Sequence, residues 1–169
     1  TTNTLLVFLK KNKEHYPNLY KACNGQSPVK EIPAEIHRII DKFGELKDRA
    51  SDKLFSIRRQ MNGVRSKISQ SFGAALSTYQ GSGFLDEIRE TVIGSRRVLA
   101  VKAMYRRKVK GVIHGSSKTG SIVYIEPQTT LQYTQELQNL VYDEKEETDA
   151  ILRSLTDFMR PFEADFKTF

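Results

Sequence analysis

The chain has 169 residues, enough for one domain of ordinary size or one carrying a small insertion, and too few for several independent cores. Lys and Arg outnumber Asp and Glu by 27 to 20, and this net charge of +7 favours anionic partners such as nucleic acid. With 38% hydrophobic residues, no Trp and 28% charged residues, the composition suits elongated helices better than the large buried core of an enzyme. Cys23 stands alone, which excludes an intrachain disulfide and points to a reducing, cytoplasmic compartment. The longest clean apolar run, Leu5 to Leu9, is far below the roughly 18 residues of a membrane span, so no membrane partner is expected. Thr1 stands where an initiator Met would, and no basic segment precedes an apolar stretch and a cleavage site, so the chain reads as a fragment of a longer protein.

Residues 1–31 hold two short helical candidates, Thr4 to Lys11 and Pro17 to Cys23, the second with Pro at the favoured first helical position. Gln26-Ser27-Pro28 then breaks the chain. From Ala34 the apolar residues Ile36, Ile40, Phe43, Ala50, Leu54, Ile57, Met61, Val64, Ile68, Phe72, Ala75 and Tyr79 recur at steps of four and three, a heptad seam. The seam lapses between Gly44 and Ser51. There Gly ends one helix, while Ser51 and Asp52 cap the next with an oxygen on orphan amides and a negative charge at the positive end. The helix from Ser51 to Tyr79 would be roughly 43 Å long at 1.5 Å per residue.

Between the long helices the period changes to two. Arg97 to Lys102, Lys108 to Ile113 and Ser121 to Ile125 read as strands, rich in β-branched residues and bounded by Gly94, Gly115, Gly120 and Pro127. The seam returns after Pro127 through Leu137, Val141, Glu144, Thr148, Ile151, Leu155, Phe158 and Phe162, with Leu140, Leu152 and Met159 widening it until Pro161. Neither long helix buries its stripe alone. The expected fold is therefore mostly α with a small antiparallel β insertion: a long antiparallel helical pair with the β module at its tip.

The charge is concentrated on that module. From Asp86 to Ile125 there are nine basic residues, Arg89, Arg96, Arg97, Lys102, Arg106, Arg107, Lys108, Lys110 and Lys118, against Asp86, Glu87 and Glu90. The helices are almost neutral. Such concentration predicts phosphate contacts with salt-dependent affinity, with a solvated basic surface as the plain alternative. The module's aromatic residues are Phe84, Tyr105 and Tyr124, too few for a single-strand stacking platform, so non-specific or shape-dependent duplex contact is expected.

Other motifs yield to simpler readings. Gly115-Ser116-Ser117-Lys118-Thr119-Gly120-Ser121 resembles a phosphate loop, but a Walker A loop needs Lys and then Ser or Thr after its second Gly. It reads as a turn between strands whose Ser116, Ser117, Lys118 and amides could still meet a nucleic-acid phosphate. Ser27-Pro28-Val29-Lys30 and Lys118-Thr119-Gly120 match fragments of the penicillin-binding signature by coincidence. His15, His37 and His114 have no second ligand at metal-binding spacing, so no metal is expected, and His114 is a further candidate for a phosphate. The acidic run Asp143-Glu144-Lys145-Glu146-Glu147 reads as the solvated face of a helix.

Taken together, these residues carry a resemblance. Ile40-Asp41, Gly44, Lys47-Asp48, Ala50-Ser51 and Leu54, followed by Ile57-Arg58-Arg59, resemble a segment of MutS-type proteins, and most nearly their second bacterial branch, MutS-two. Arg97 to Lys102, Lys110-Gly111-Val112-Ile113-His114, Ser117, Gly120 and Ile125-Glu126-Pro127 resemble that branch's central segment. Ala100 stands where the family usually has Pro, Lys118 and Thr119 alter a Ser-rich turn, and Tyr133-Thr134-Gln135 replaces an Asn-rich start to the returning helix.

The resemblance implies short core helices in residues 1–31, core and lever helices in 32–80, a β-rich clamp in 81–127 and a returning lever helix in 128–169. It also implies a non-catalytic fragment without a cofactor of its own. The missing ATPase head would bind ATP and Mg, and many relatives add a nuclease-like tail. Duplex, branched or mismatched DNA is the implied partner, in mismatch repair or recombination control in a bacterial cytoplasm, with a homodimer for the full-length protein. Two alternatives stay open: a ribosome-binding arm that contacts rRNA in stalled-ribosome rescue, and a purely structural dimerisation arm. The residues expected to meet nucleic acid are Arg96, Arg97, Lys102, Arg106, Arg107, Lys108, Lys110, His114, Ser116, Ser117 and Lys118.

Overall fold

The computed structural model describes residues 2–23 and 30–163. The break expected at Gln26-Ser27-Pro28 lies outside them. Helices α1 (Thr2–Lys11) and α2 (Pro17–Ala22) form where expected, and Pro17 opens α2. Helix α3 (Glu31–Ile39) ends earlier than the seam predicts, because Asp41 Oδ1 accepts the amides of Phe43 (2.8 Å) and Glu45 (3.0 Å). A side chain that satisfies amides in this way competes with another helical turn. Gly44 completes the reversal at φ +88°, and Phe43, placed on the seam by its spacing, is 77% exposed.

Helix α4 (Asp52–Gly81) starts as its cap requires, with the Leu54 amide donating to Ser51 Oγ at 3.0 Å. Its buried positions Leu54, Ile57, Met61, Val64 and Phe72 are those of the seam. Helix α5 (Gln128–Met159) follows Pro127 directly. Here the expected stripe needs correction: Val141 and Phe158 are exposed, while Leu140 is buried and Met159 packs partly into a core. Residues three and four apart share a helix face, and spacing alone leaves open which of the two meets the partner. No helix of the described residues is long and apolar enough to cross a membrane.

The described residues divide into two compact units, one formed by those up to Phe55 and from Glu146 onward, the other by Ser56–Lys145. In the first, Ile39, Ala50, Leu54, Ile151 and Leu155 form a core, with Ile36, Ile40, Leu46 and Met159 against it. The Ser51 hydroxyl donates to Glu147 Oε1 at 2.7 Å, and Lys53 Nζ lies 2.9 Å from Oε2. The Ser51 hydrogen bond, followed by the Lys53 charge, holds the Glu147 carboxyl below its usual range.

In the second unit α4 and α5 run antiparallel. Arg58 Nε meets Glu144 Oε1 at 2.7 Å toward one end, Ser71 Oγ meets Thr130 Oγ1 at 3.4 Å toward the other, and Ile57, Met61, Val64 and Leu140 are buried between. The acidic run thus divides its labour, with Glu144 and Glu147 serving α4 while Asp143 and Glu146 face water.

Four strands, one more than expected, form an antiparallel sheet in the order β1-β2-β4-β3: β1 (Leu85–Ile93), β2 (Arg96–Lys102), β3 (Gly111–Ser116) and β4 (Ile122–Pro127). The unexpected β1 is an edge strand with four charged residues, and it bulges between Leu85 and Glu90, where Arg89 takes φ +60°. Charge and a bulge are how an edge avoids pairing with other chains, and both erase the alternation that marks a strand. Leu99 and Val101 on β2 and Val123 and Ile125 on β4 pack with Phe72, Leu76 and Tyr79 of α4. The second of the expected strands starts three residues late, at Gly111, because Lys108 closes a turn and Val109 drops into this core.

Candidate nucleic-acid interface

Register sorts the eleven predicted residues. In β2, odd positions face α4 and even positions face the other way. Arg97 therefore lies over the Phe72 ring, its guanidinium carbon 4.3 Å from the centroid, while Nη2 donates to Glu90 Oε2 at 2.8 Å. Arg96, on the opposite face, donates through Nη1 to Glu126 Oε2 (2.8 Å) and through Nη2 to Gln138 Oε1 (2.9 Å). His114 Nε2 meets the same Glu126 oxygen at 2.8 Å.

Glu126 is completely buried, and its other oxygen, Oε1, has no hydrogen-bond partner among the described residues. A carboxylate there is tolerable only with its charge compensated, and Arg96 and His114 supply the partners. These two and Arg97 are engaged inside the unit and contribute little to an outward field. Spacing could not have found the Arg96–Glu126 pair. A Glu inside the apolar strand Ile122–Pro127 was nonetheless a legible demand for a cation.

The second group lies at the end of the sheet where β2 stops. The Ala103 amide donates to Ser121 O at 2.8 Å, tying the turn that follows β2 to the turn between β3 and β4. Lys102 at the end of β2, Arg106, Arg107 and Lys108 on the first turn and Lys118 on the second are exposed, with no ion pair among the described residues. The first turn is stiff: Tyr105 stacks on Phe84 at 4.8 Å, and Lys108 Nζ sits 5.5 Å from the Phe84 centroid and 5.7 Å from that of Tyr105. Lys110 is drawn elsewhere. Its amide donates to Tyr79 Oη at 3.2 Å and its carbonyl accepts the Gln128 amide, so it stands beside the start of α5.

Of the Gly115–Ser121 segment, Gly115 and Ser116 end β3 and the rest is the turn to β4. The Ser117 amide donates to Ile122 O at 2.9 Å, its hydroxyl accepts the Ile122 amide at 3.1 Å, and the Gly120 amide donates to Ser117 O. These bonds commit the Ser117, Gly120 and Ile122 amides inside the turn. Ser116 is exposed. The described residues hold no cluster of three or more His, Cys, Asp or Glu able to take a metal. What the arrangement offers is five exposed cations at the end of β2 and on two tied turns, one of them, Lys108, lying against the Phe84 and Tyr105 rings, able to meet successive phosphates without reading bases.

No protein-family model matches the chain. Among curated proteins, it is similar to Endonuclease MutS2 of Clostridium acetobutylicum, 35% identical over 147 residues, which is 87% of this chain and 18% of that protein. Endonuclease MutS2 of Halothermothrix orenii is 32% identical over 82% of this chain, and that of a Geobacillus species 30% identical over 89%. The chain spans about a fifth of the length of these relatives. The resemblance drawn from the motifs holds: the sequence is MutS2-related over most of its length.

Proposed function

We propose that this chain is a lever and clamp segment of a MutS-type ATPase, in which α4 and α5 carry motion and the basic turns grip duplex or branched DNA through its phosphates. The observation that carries this reading is the exposure of Lys102 at the end of β2 and of Arg106, Arg107 and Lys118 on the two turns tied by the Ala103–Ser121 bond. Each phosphate neutralised by such a cation releases counterions and steepens the salt dependence of binding. Nothing in the sheet offers base-edge readout or a stacking platform, so affinity should follow backbone geometry rather than sequence.

We place the nucleotide chemistry, and the endonuclease activity in the relatives' name, in parts of the full-length protein outside this chain. The antiparallel contact from Arg58–Glu144 to Ser71–Thr130 supports the lever role, because packed helices move as a body.

The test is a fluorescence-anisotropy titration of a four-way DNA junction, a linear duplex of equal length and a matching RNA duplex, each at several salt concentrations. The reading predicts DNA binding whose logarithm falls linearly with the logarithm of salt concentration, indifferent to base sequence. Binding that is absent, salt-independent or confined to RNA overturns it.

A further inference from the structure

We propose that Met104 is an apolar wedge that enters the base stack of DNA at an open step, such as the centre of a four-way junction, and so confers preference for branched over continuous duplex. This rests on the DNA reading above and adds to it a residue that acts on bases.

Met104 lies in the short 3₁₀ turn Ala103–Tyr105 and is 77% exposed. One exposed methionine is ordinary on a protein surface. Its setting is what distinguishes it. Along the chain it stands between Lys102 on one side and Arg106 and Arg107 on the other, all exposed, so any duplex held by these cations is brought against it.

The turn beneath it is braced. The Ala103 amide is held by Ser121 O (2.8 Å), Arg106 and Lys108 close successive turns on Ala103 O and Tyr105 O, and Tyr105 is stacked on Phe84. A braced backbone leaves only the side chain's own rotamer freedom to be lost on insertion, whereas a loose loop would lose backbone freedom as well. Tyr105, the ring that could have stacked on an unpaired base, packs against the core instead, and the turn presents an unbranched thioether. Such a side chain adapts to irregular gaps. Wedging between base steps costs unstacking energy, and that cost is least where a branch has already interrupted the stack.

The unit holds its own control. Ile88 is 67% exposed on β1 among charges of both signs, Asp86, Glu87 and Arg89, with Glu90 paired to Arg97, and it lies outside the turn that carries Met104. The experiment uses the 169-residue chain with Met104→Gln, Met104→Leu and Ile88→Gln variants. It measures affinity for the four-way junction and for the linear duplex, together with the fluorescence of 2-aminopurine beside the branch point, which brightens on unstacking.

The expected result is that Met104→Gln weakens junction binding roughly tenfold, leaves duplex binding within about twofold and abolishes the 2-aminopurine signal. Met104→Leu retains both signals, and Ile88→Gln leaves both unchanged. If Met104→Gln binds the junction with unaltered affinity and signal, the wedge is refuted while the phosphate grip stands. If the unaltered chain binds no DNA, grip and wedge fall together.

Discussion

Truncating Glu126 to Ala would leave Arg96 and His114 without the carboxylate that both contact, each with only 22% of its side chain exposed. Removing one partner of a buried ion pair costs about 3–5 kcal/mol, since the other charge stays desolvated. Arg96 keeps its bond to Gln138 and some access to water, which places this case at the lower end, about 3 kcal/mol. For a chain of this size that corresponds to a fall in Tm of roughly 6–12 °C. Urea unfolding followed by circular dichroism would measure it. Because a buried pair replaced together by apolar groups loses far less, Glu126→Ala with Arg96→Met should cost about 2 kcal/mol less than the sum of the single changes. Single costs below about 0.5 kcal/mol that simply add would refute the argument and return Arg96 to the outward-facing cations.

Three further outcomes follow from the geometry. A Cβ at Gly111 would lie 2.0 Å from the Glu126 carbonyl oxygen and 2.8 Å from Ile125 Cγ2, so Gly111→Ala must push β3 off β4. We expect a loss of about 3 kcal/mol or more in urea titrations and early amide exchange in Gly111–Ser116. Ser51→Ala removes the α4 cap and should cost about 1 kcal/mol, seen as a lower Tm. Glu147 is held below the usual carboxylate range by Ser51 and Lys53, so its stabilising effect is present above the ordinary Glu pKa of about 4.3 and is lost as pH falls through the lower folded value. Thermal melts from pH 6 to 3 should show a decline that Glu147→Gln lessens; identical profiles would contradict this.

Much of the architecture could be read from spacing and capping chemistry. Leu54, Ile57, Met61, Val64 and Phe72 are buried as their periodicity demands, and Ser51 caps α4. What escaped was decided by groups that periodicity does not weigh. Asp41 ended α3 through two side-chain bonds and turned Phe43 outward. Strand β1 went unseen because an edge strand carries charge where a central one carries valine.

The candidate site was legible as a concentration of charge but not as a partition of it. Arg96 and Arg97 are adjacent in sequence and face opposite sides of one strand, each meeting an acid beyond the reach of local pattern. Glu126, one residue outside the stretch in which the charge is concentrated, absorbs Arg96 and His114. Side-chain identity told where positive charge was dense, while register told which of it remains outside.

The most direct measurement is the salt slope of junction binding by the chain in which Lys102, Arg106, Arg107 and Lys118 are all replaced by Ala. At about 0.9 per phosphate contact, the slope should flatten by roughly 3 to 4 and affinity at low salt should collapse, with the thermal melt unchanged. A variant that keeps the original slope and affinity would show that these two turns do not hold DNA.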